Sequence, residues 1–131
     1  MLYKAPLFMV ETERADNQLK YKKESIDLKT FSNFPITYSP PIHSWDEIDT
    51  NKTIAKVLKA YIKENTLFIE FDTDYSFKEN SYINMYSRCN CFNNYINFHS
   101  PAHIFIDYLD ISKSVWNFEK RIIPLKSLNL E

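Results

Sequence analysis

A chain of 131 residues with 44% apolar and 25% charged residues is long enough to bury one core of its own, and it describes a single globular domain over residues 1–131. Its formal net charge of −1 supplies no global field to draw it onto nucleic acid or an anionic membrane. It contains no glycine, where the average usage of roughly 7% would give about nine. Phosphate-cradling and dinucleotide-binding loops in their usual form are thereby excluded, because they need backbone that approaches the ligand closely and often takes positive φ.

Alanine is also scarce, and only Arg14, Arg88 and Arg121 carry a guanidinium among the 16 basic residues. Asparagine, lysine, isoleucine, tyrosine and phenylalanine are correspondingly common, which is the signature of an A/T-rich genome rather than of selection against glycine. Aromatic residues make up 16% of the chain. They fill the core volume that small residues leave and are the side chains that anchor protein interfaces.

In chain order, residues 7–11 are predicted to form a strand, and residues 19–29 a second, with Leu19 and Tyr21 alternating against lysines. Residues 34–41 contain Pro35, Pro40 and Pro41 and are expected to turn, since proline opposes both regular helix and interior strand. Ser44-Trp45-Asp46-Glu47 has the form of a capping box. From there to Glu64, Ile54, Val57, Leu58, Tyr61 and Ile62 recur at helical spacing, and Asn65 suits a left-handed cap.

Residues 66–72 alternate as a strand, Leu67, Ile69 and Phe71 facing one way and Phe68, Glu70 and Asp72 the other, and Tyr75 and Phe77 extend the alternation. Residues 78–80 are expected to turn, and residues 82–88 to return as the partner of a hairpin. A third strand is expected at 95–98, and a helix from the Ser100-Pro101 cap through Ile104, Phe105, Tyr108 and Leu109, a segment β-branched enough to form a strand instead. Residues 115–123 close the series as a strand ended by Pro124. The expected fold class is α+β, a mostly antiparallel sheet of about four to six strands with one or two packed helices.

Three constellations carry possible chemistry. Cys89, Cys91, His99 and His103 are the ligand types of a tetrahedral zinc site, and the histidines have the H-x3-H spacing. The C-x-C half is closer-spaced than structural zinc usually takes, and its two sulfurs are expected to diverge to opposite faces of a strand. No metal and no cofactor is therefore assigned. Lys52, Lys56, Lys59 and Lys63 form a stripe if the segment is helical. That stripe is either the solvated face of a core helix or a rod of charge for phosphates, and no aromatic residue interleaves with it on a helix.

Acidic and tyrosine residues gather along the expected hairpin: Glu70, Asp72, Asp74, Tyr75, Glu79, Tyr82 and Tyr86. Paired carboxylates suit acid–base work only with partners that the sequence does not place beside them. The three histidines, His43, His99 and His103, stand in no nucleophile motif with serine or cysteine. No catalytic residue is assigned, and an enzyme is not expected. A tyrosine-studded acidic surface suits the masking of a basic cleft on another protein, by charge complementarity and aromatic burial.

In size and composition the chain resembles, in type, the immunity proteins that bacteria make against delivered toxins, of which contact-dependent inhibition is one setting. The expectation is a non-enzymatic inhibitor that occludes the active site of a protein partner, a toxin of nuclease type. The alternative is a small nucleic-acid-associated domain using the lysine-faced helix, with or without zinc; nucleic acid is not the expected partner, and neither is a membrane. Two cysteines one residue apart make no disulfide framework, Glu11 and Glu13 interrupt the opening apolar stretch too early for a secretion signal, and the expected compartment is the cytoplasm.

Overall fold

The computed structural model describes residues 1–38, 53–75, 77, 81–107 and 123–124. Strands make up 62% of it and helical turns 8%. The strands are β1 (Leu2–Met9), β2 (Lys20–Tyr21), β3 (Pro35–Thr37), β4 (Thr53–Lys63), β5 (Thr66–Asp72), β6 (Tyr82–Phe92), β7 (Tyr95–Asp107) and β8 (Ile123–Pro124). Two 3-10 turns, Lys23–Ser25 and Leu28–Phe31, lie between β2 and β3. No helix among the described residues is long and apolar enough to cross a membrane.

The strands join one curled, mixed sheet. β5 lies between β1 and β4, both antiparallel to it, and β8 borders β1. β4 also pairs with β3 through Ile36↔Ala55, and β3 runs parallel to β7 through Ile36↔Ile104. β7 carries β2 and β3 along one edge and β6, antiparallel, along the other.

The concave face holds the core. Ala5, Phe8, Ile36, Val57, Leu67, Ile69, Phe71, Ile83, Phe98, Ile104 and Ile106 are buried there. Each large apolar side chain so removed from water contributes about 1.5–3 kcal/mol. Aromatic rings supply much of the volume: Phe31 stacks on Phe98 at 5.5 Å, and Phe8 lies 5.5 Å from Phe98 and 4.8 Å from Tyr21. The Tyr21 hydroxyl reaches Ser87 Oγ at 3.0 Å, and burial pushes its pKa above the ordinary tyrosine range despite that bond.

An α+β fold with packed helices is overturned by this architecture. The predicted helix ending at Glu64 is the strand β4, and its capping box at residues 44–47 lies outside the described residues. The register explains the misreading. β4 is bulged between Val57 and Lys59, so its inward residues run Ala55, Val57, Ala60, Ile62. That two-three-two spacing imitates a helical repeat, whereas an unbroken strand would keep a period of two.

The helix predicted from Ser100-Pro101 is likewise the second half of β7. Residues 101–106 are buried on both faces, so apolar residues run on without alternation. The expected β5–β6 hairpin does not form either. Both edges of β5 are taken by β1 and β4, and β6 pairs with β7 instead. Of the predicted second strand only Lys20–Tyr21 forms a strand, and 3-10 turns at Lys23–Ser25 and Leu28–Phe31 take up much of the rest. Pro35 begins an interior strand rather than barring one, which the first position of a strand allows. The predicted turn at 78–80 lies outside the described residues, and of the predicted strand 115–123 only Ile123 is described, opposite Lys4.

Asn65 does take a left-handed conformation, but in a β-turn and not at a helix end. With Lys63 opposite Thr66, the two loop residues Glu64 and Asn65 have φ of 51° and 63°. Both central residues of a type I′ turn have positive φ, for which Asn-Gly is the favoured pair. The double change Glu64→Asn, Asn65→Gly is expected to raise the unfolding free energy by about 0.5–1 kcal/mol in a urea titration. A neutral or destabilising result would show that the turn does not hold Glu64 in this strained geometry.

Candidate functional site

The bulge in β4 sets what its outer face displays. Leu58, the extra residue, is 59% exposed. Beyond it, Lys59, Tyr61 and Lys63 all point away from the core at strand spacing, and each stands opposite a residue of β5. Three rows cross the outer face of β1, β5 and β4: Lys4–Glu70–Lys59, Pro6–Phe68–Tyr61 and Met9–Thr66–Lys63.

The Glu70 carboxylate therefore sits between two ammonium-bearing neighbours. In the next row Tyr61 and Phe68 stack with centroids 5.5 Å apart and planes 16° from parallel. Lys4 Nζ lies 5.7 Å from the Phe68 centroid and Lys59 Nζ 5.3 Å from that of Tyr61, within cation–π range. An open cleft of about 310 Å3 is lined by Lys4, Tyr61, Lys63, Glu64, Thr66 and Phe68. Partial burial, with the nearby Glu70 charge second, raises the Tyr61 phenol above the ordinary tyrosine range. The combination offers stacked apolar ring surface framed by charges of both signs.

The seven residues expected to form one acidic, tyrosine-rich surface are divided by the fold. Glu70 belongs to the mixed-charge row. Asp72 accepts an ion pair from the Met1 ammonium at 3.0 Å. Asp74 and Tyr75 are exposed just past the end of β5, where the Tyr75 amide donates to Thr73 Oγ1 at 3.1 Å. The Tyr75 ring joins a run of aromatics that closes one end of the core, 5.2 Å from Tyr38 and 5.5 Å from Phe77. Glu79 lies outside the described residues. Tyr82 and Tyr86 stand on β6, opposite Asp107 and His103, and the Tyr86 ring packs 5.2 Å from Phe105.

The four zinc-type ligands are also separated. Cys89 and Cys91, opposite Phe98 and Ile96, are exposed free thiols on one face of β6. The expectation that they diverge fails, because residues two apart on a strand share a face. Asn90 lies on the other face, and its Oδ1 is 2.6 Å from His99 Nε2. His103 is buried four positions further along β7. Among the described residues no group of three or more metal-ligand side chains converges. Thr53 Oγ1 and His103 Nε2 are buried with no hydrogen-bond partner among the described residues, but β3 stands between their strands.

Lys52 lies outside the described residues, and Lys56, Lys59 and Lys63 are on a strand rather than a helix. Strand spacing places Tyr61 between Lys59 and Lys63, so lysine and aromatic do interleave. The sequence reading missed Lys4, Lys59, Tyr61 and Phe68 as a unit. Period two applied to 59, 61 and 63 was the signal that finds them. The chain matches no family model, no curated protein and no solved structure.

Glu70→Gln is expected to lower the Tyr61 pKa, because removing a nearby negative charge eases formation of the phenolate. Tyrosine-selective carbon-13 NMR, with Tyr61→Phe to assign the resonance, reads this shift. An unmoved titration would mean that Glu70 does not face Tyr61.

Proposed function

We propose that the protein is a non-enzymatic binding module for another protein, and that its contact surface is the outer face of β1, β5 and β4. The stacked Tyr61–Phe68 pair, framed by Lys4, Lys59, Lys63 and Glu70, carries this reading. Aromatic anchors within a polar rim are the usual anatomy of a protein interface. Rings already fixed by stacking lose less freedom on binding than mobile side chains do. Exposed Leu58 extends the apolar area at one side, and Asp72 at the end of β5, with Asp74 and Tyr75 just past it, extends the exposed surface.

The specific form of the proposal is an inhibitor that occludes the active site of a toxin, of nuclease type, in the cytoplasm. Free exposed thiols at Cys89 and Cys91 accord with a reducing compartment. Glu70, flanked by Lys4 and Lys59, and Asp72, paired with the Met1 ammonium, contribute little net negative potential, so complementarity to a basic cleft falls chiefly to Asp74. A second reading has its own observation: the Lys59–Tyr61–Lys63 alternation beside Lys4 and Phe68 is the arrangement by which single-stranded nucleic acid is stacked and neutralised.

Co-purification with the product of the neighbouring gene tests the leading reading. Tyr61→Ala with Phe68→Ala should weaken partner binding by about 30-fold or more while the far-ultraviolet spectrum stays that of the wild type. Asp72→Lys with Asp74→Lys should slow association and reduce its salt dependence. Full affinity in the aromatic double variant would remove this surface from consideration. Micromolar binding of a single-stranded oligonucleotide, lost in Lys59→Glu with Lys63→Glu and falling with salt at about 0.7 log units per phosphate contact, would put the second reading in its place.

A further inference from the structure

A second basic and aromatic surface lies where β2 joins the hairpin of β6 and β7. β2 runs parallel to β7 with Lys20 beside Tyr95, and Phe92 of β6 stands on the other side of Tyr95. The alternate residues Tyr21, Ile96 and Phe98 are buried in the core, so Lys20, Lys22, Tyr95 and Phe92 turn to the outer face. The Lys20 amide donates to the Asn94 carbonyl at 3.2 Å and the Lys22 amide to that of Ile96 at 3.0 Å. These bonds fix the short strand to the root of the hairpin.

From their anchored positions both lysine side chains reach over one ring. Lys20 Nζ lies 5.8 Å and Lys22 Nζ 5.6 Å from the Tyr95 centroid. Two ammonium groups gathered on a single ring repel each other, and neither has an ion-pair partner among the described residues. The Glu11 carboxylate, on the segment bonded to Tyr21, is engaged by the Lys23 amide at 2.8 Å. Phe92 is 67% exposed, and on the same face Asn97 pairs with Asn90, whose Oδ1 is 2.6 Å from His99 Nε2. None of these outward residues is acidic, whereas on the face of β1, β5 and β4 Glu70 stands between its lysines.

We propose that this surface binds single-stranded nucleic acid, with backbone phosphates on Lys20 and Lys22 and an unpaired base on the exposed ring of Phe92. An acidic protein segment would satisfy the lysines and leave the ring and the amides of Asn90 and Asn97 unused. A nucleotide strand uses all three, through its charge, the π-faces of its bases and their polar edges. Insertion into a bilayer is opposed by Asn93 and Asn94, the polar pair at the tip of the hairpin. The surface lies on other strands than the one proposed for a protein partner, and neither proposal depends on the other.

Fluorescence anisotropy with a labelled hexathymidylate at low salt is expected to give a dissociation constant of about 10–100 μM. With two phosphates neutralised, the logarithm of the association constant should fall by about 1.4 for each tenfold rise in salt. Lys20→Gln with Lys22→Gln should weaken binding by about tenfold or more and flatten that slope. Phe92→Ala, at an exposed position outside the core, should weaken binding by about fivefold or more and leave the slope unchanged. Lys59→Glu with Lys63→Glu should bind as the wild type does. Absence of binding at millimolar protein, binding indifferent to Phe92→Ala, or loss of binding in the Lys59 and Lys63 variant overturns the proposal. So does polyglutamate that competes as well as unlabelled hexathymidylate, which would assign the lysines to an acidic protein. Uptake by phosphatidylserine vesicles without oligonucleotide binding would overturn it in favour of a membrane.

Discussion

The bend in β4 at Leu58 is the constraint on which the rest of the fold depends. The strand pairs with β3 near its start and with β5 from Val57 onward, across the bulge, so it belongs to both halves of the sheet. A straight strand of this length would send Ala55 and Val57 to one face and Ala60 and Ile62 to the other. The extra residue returns all four to the concave side, where they meet Ile36 and Ile104 at one end and Leu67, Ile69 and Phe71 at the other. One residue of slip thus allows two halves to share a single core.

The same slip builds the outer surface. With Ala60 and Ile62 turned inward, Lys59, Tyr61 and Lys63 must turn outward, into register with Glu70, Phe68 and Thr66. The stacked rings and the lysines that cover them are consequences of core packing on the opposite face. β5, which carries Phe68 and Glu70, is bonded to β1 on one side and to β4 on the other, and Lys59, Tyr61 and Lys63 are held through their pairing with it. A surface of this kind is preorganised, and a partner that fits it is spared the ordering of a loop.

β5 was legible in the sequence because one of its faces is buried and the other half-exposed, so the period of two shows directly in Leu67, Ile69 and Phe71. β4 and β7 were not legible, for opposite reasons. In β4 the bulge breaks the alternation into a helix-like spacing. In β7 both faces of residues 101–106 are buried, and no periodicity remains to be read. The left-handed tendency of Asn65 was legible, yet the element that it ends was not, since an asparagine at positive φ serves a helix cap and a hairpin equally. Pairing partners were the least visible property. Proximity in sequence favours a β5–β6 hairpin, and only the occupation of both edges of β5 shows that β6 must go elsewhere. For the same reason Glu70 and Tyr86 could not be seen to part company.

A chain without glycine still has to turn, and it does so at six described non-glycine residues with positive φ: Glu11, Gln18, Asn33, Glu64, Asn65 and Asn93. Asparagine accepts this region at low cost, whereas glutamate and glutamine do so with strain that the adjoining strands must overcome. Long ladders are a physical complement to such turns, because many hydrogen bonds and buried rings on either side hold a reluctant residue in place. The β4–β5 turn shows the arrangement: Lys63↔Thr66 closes it, the Tyr61–Phe68 stack lies one row beyond, and Leu67 opposite Ile62 seals the inner face. The strain at Glu64 and the order of the aromatic pair therefore have one source, the register of β4 on β5. A substitution that relaxes the turn without shifting that register leaves the surface intact, while one that restores a straight β4 would exchange its faces and dismantle core and surface together.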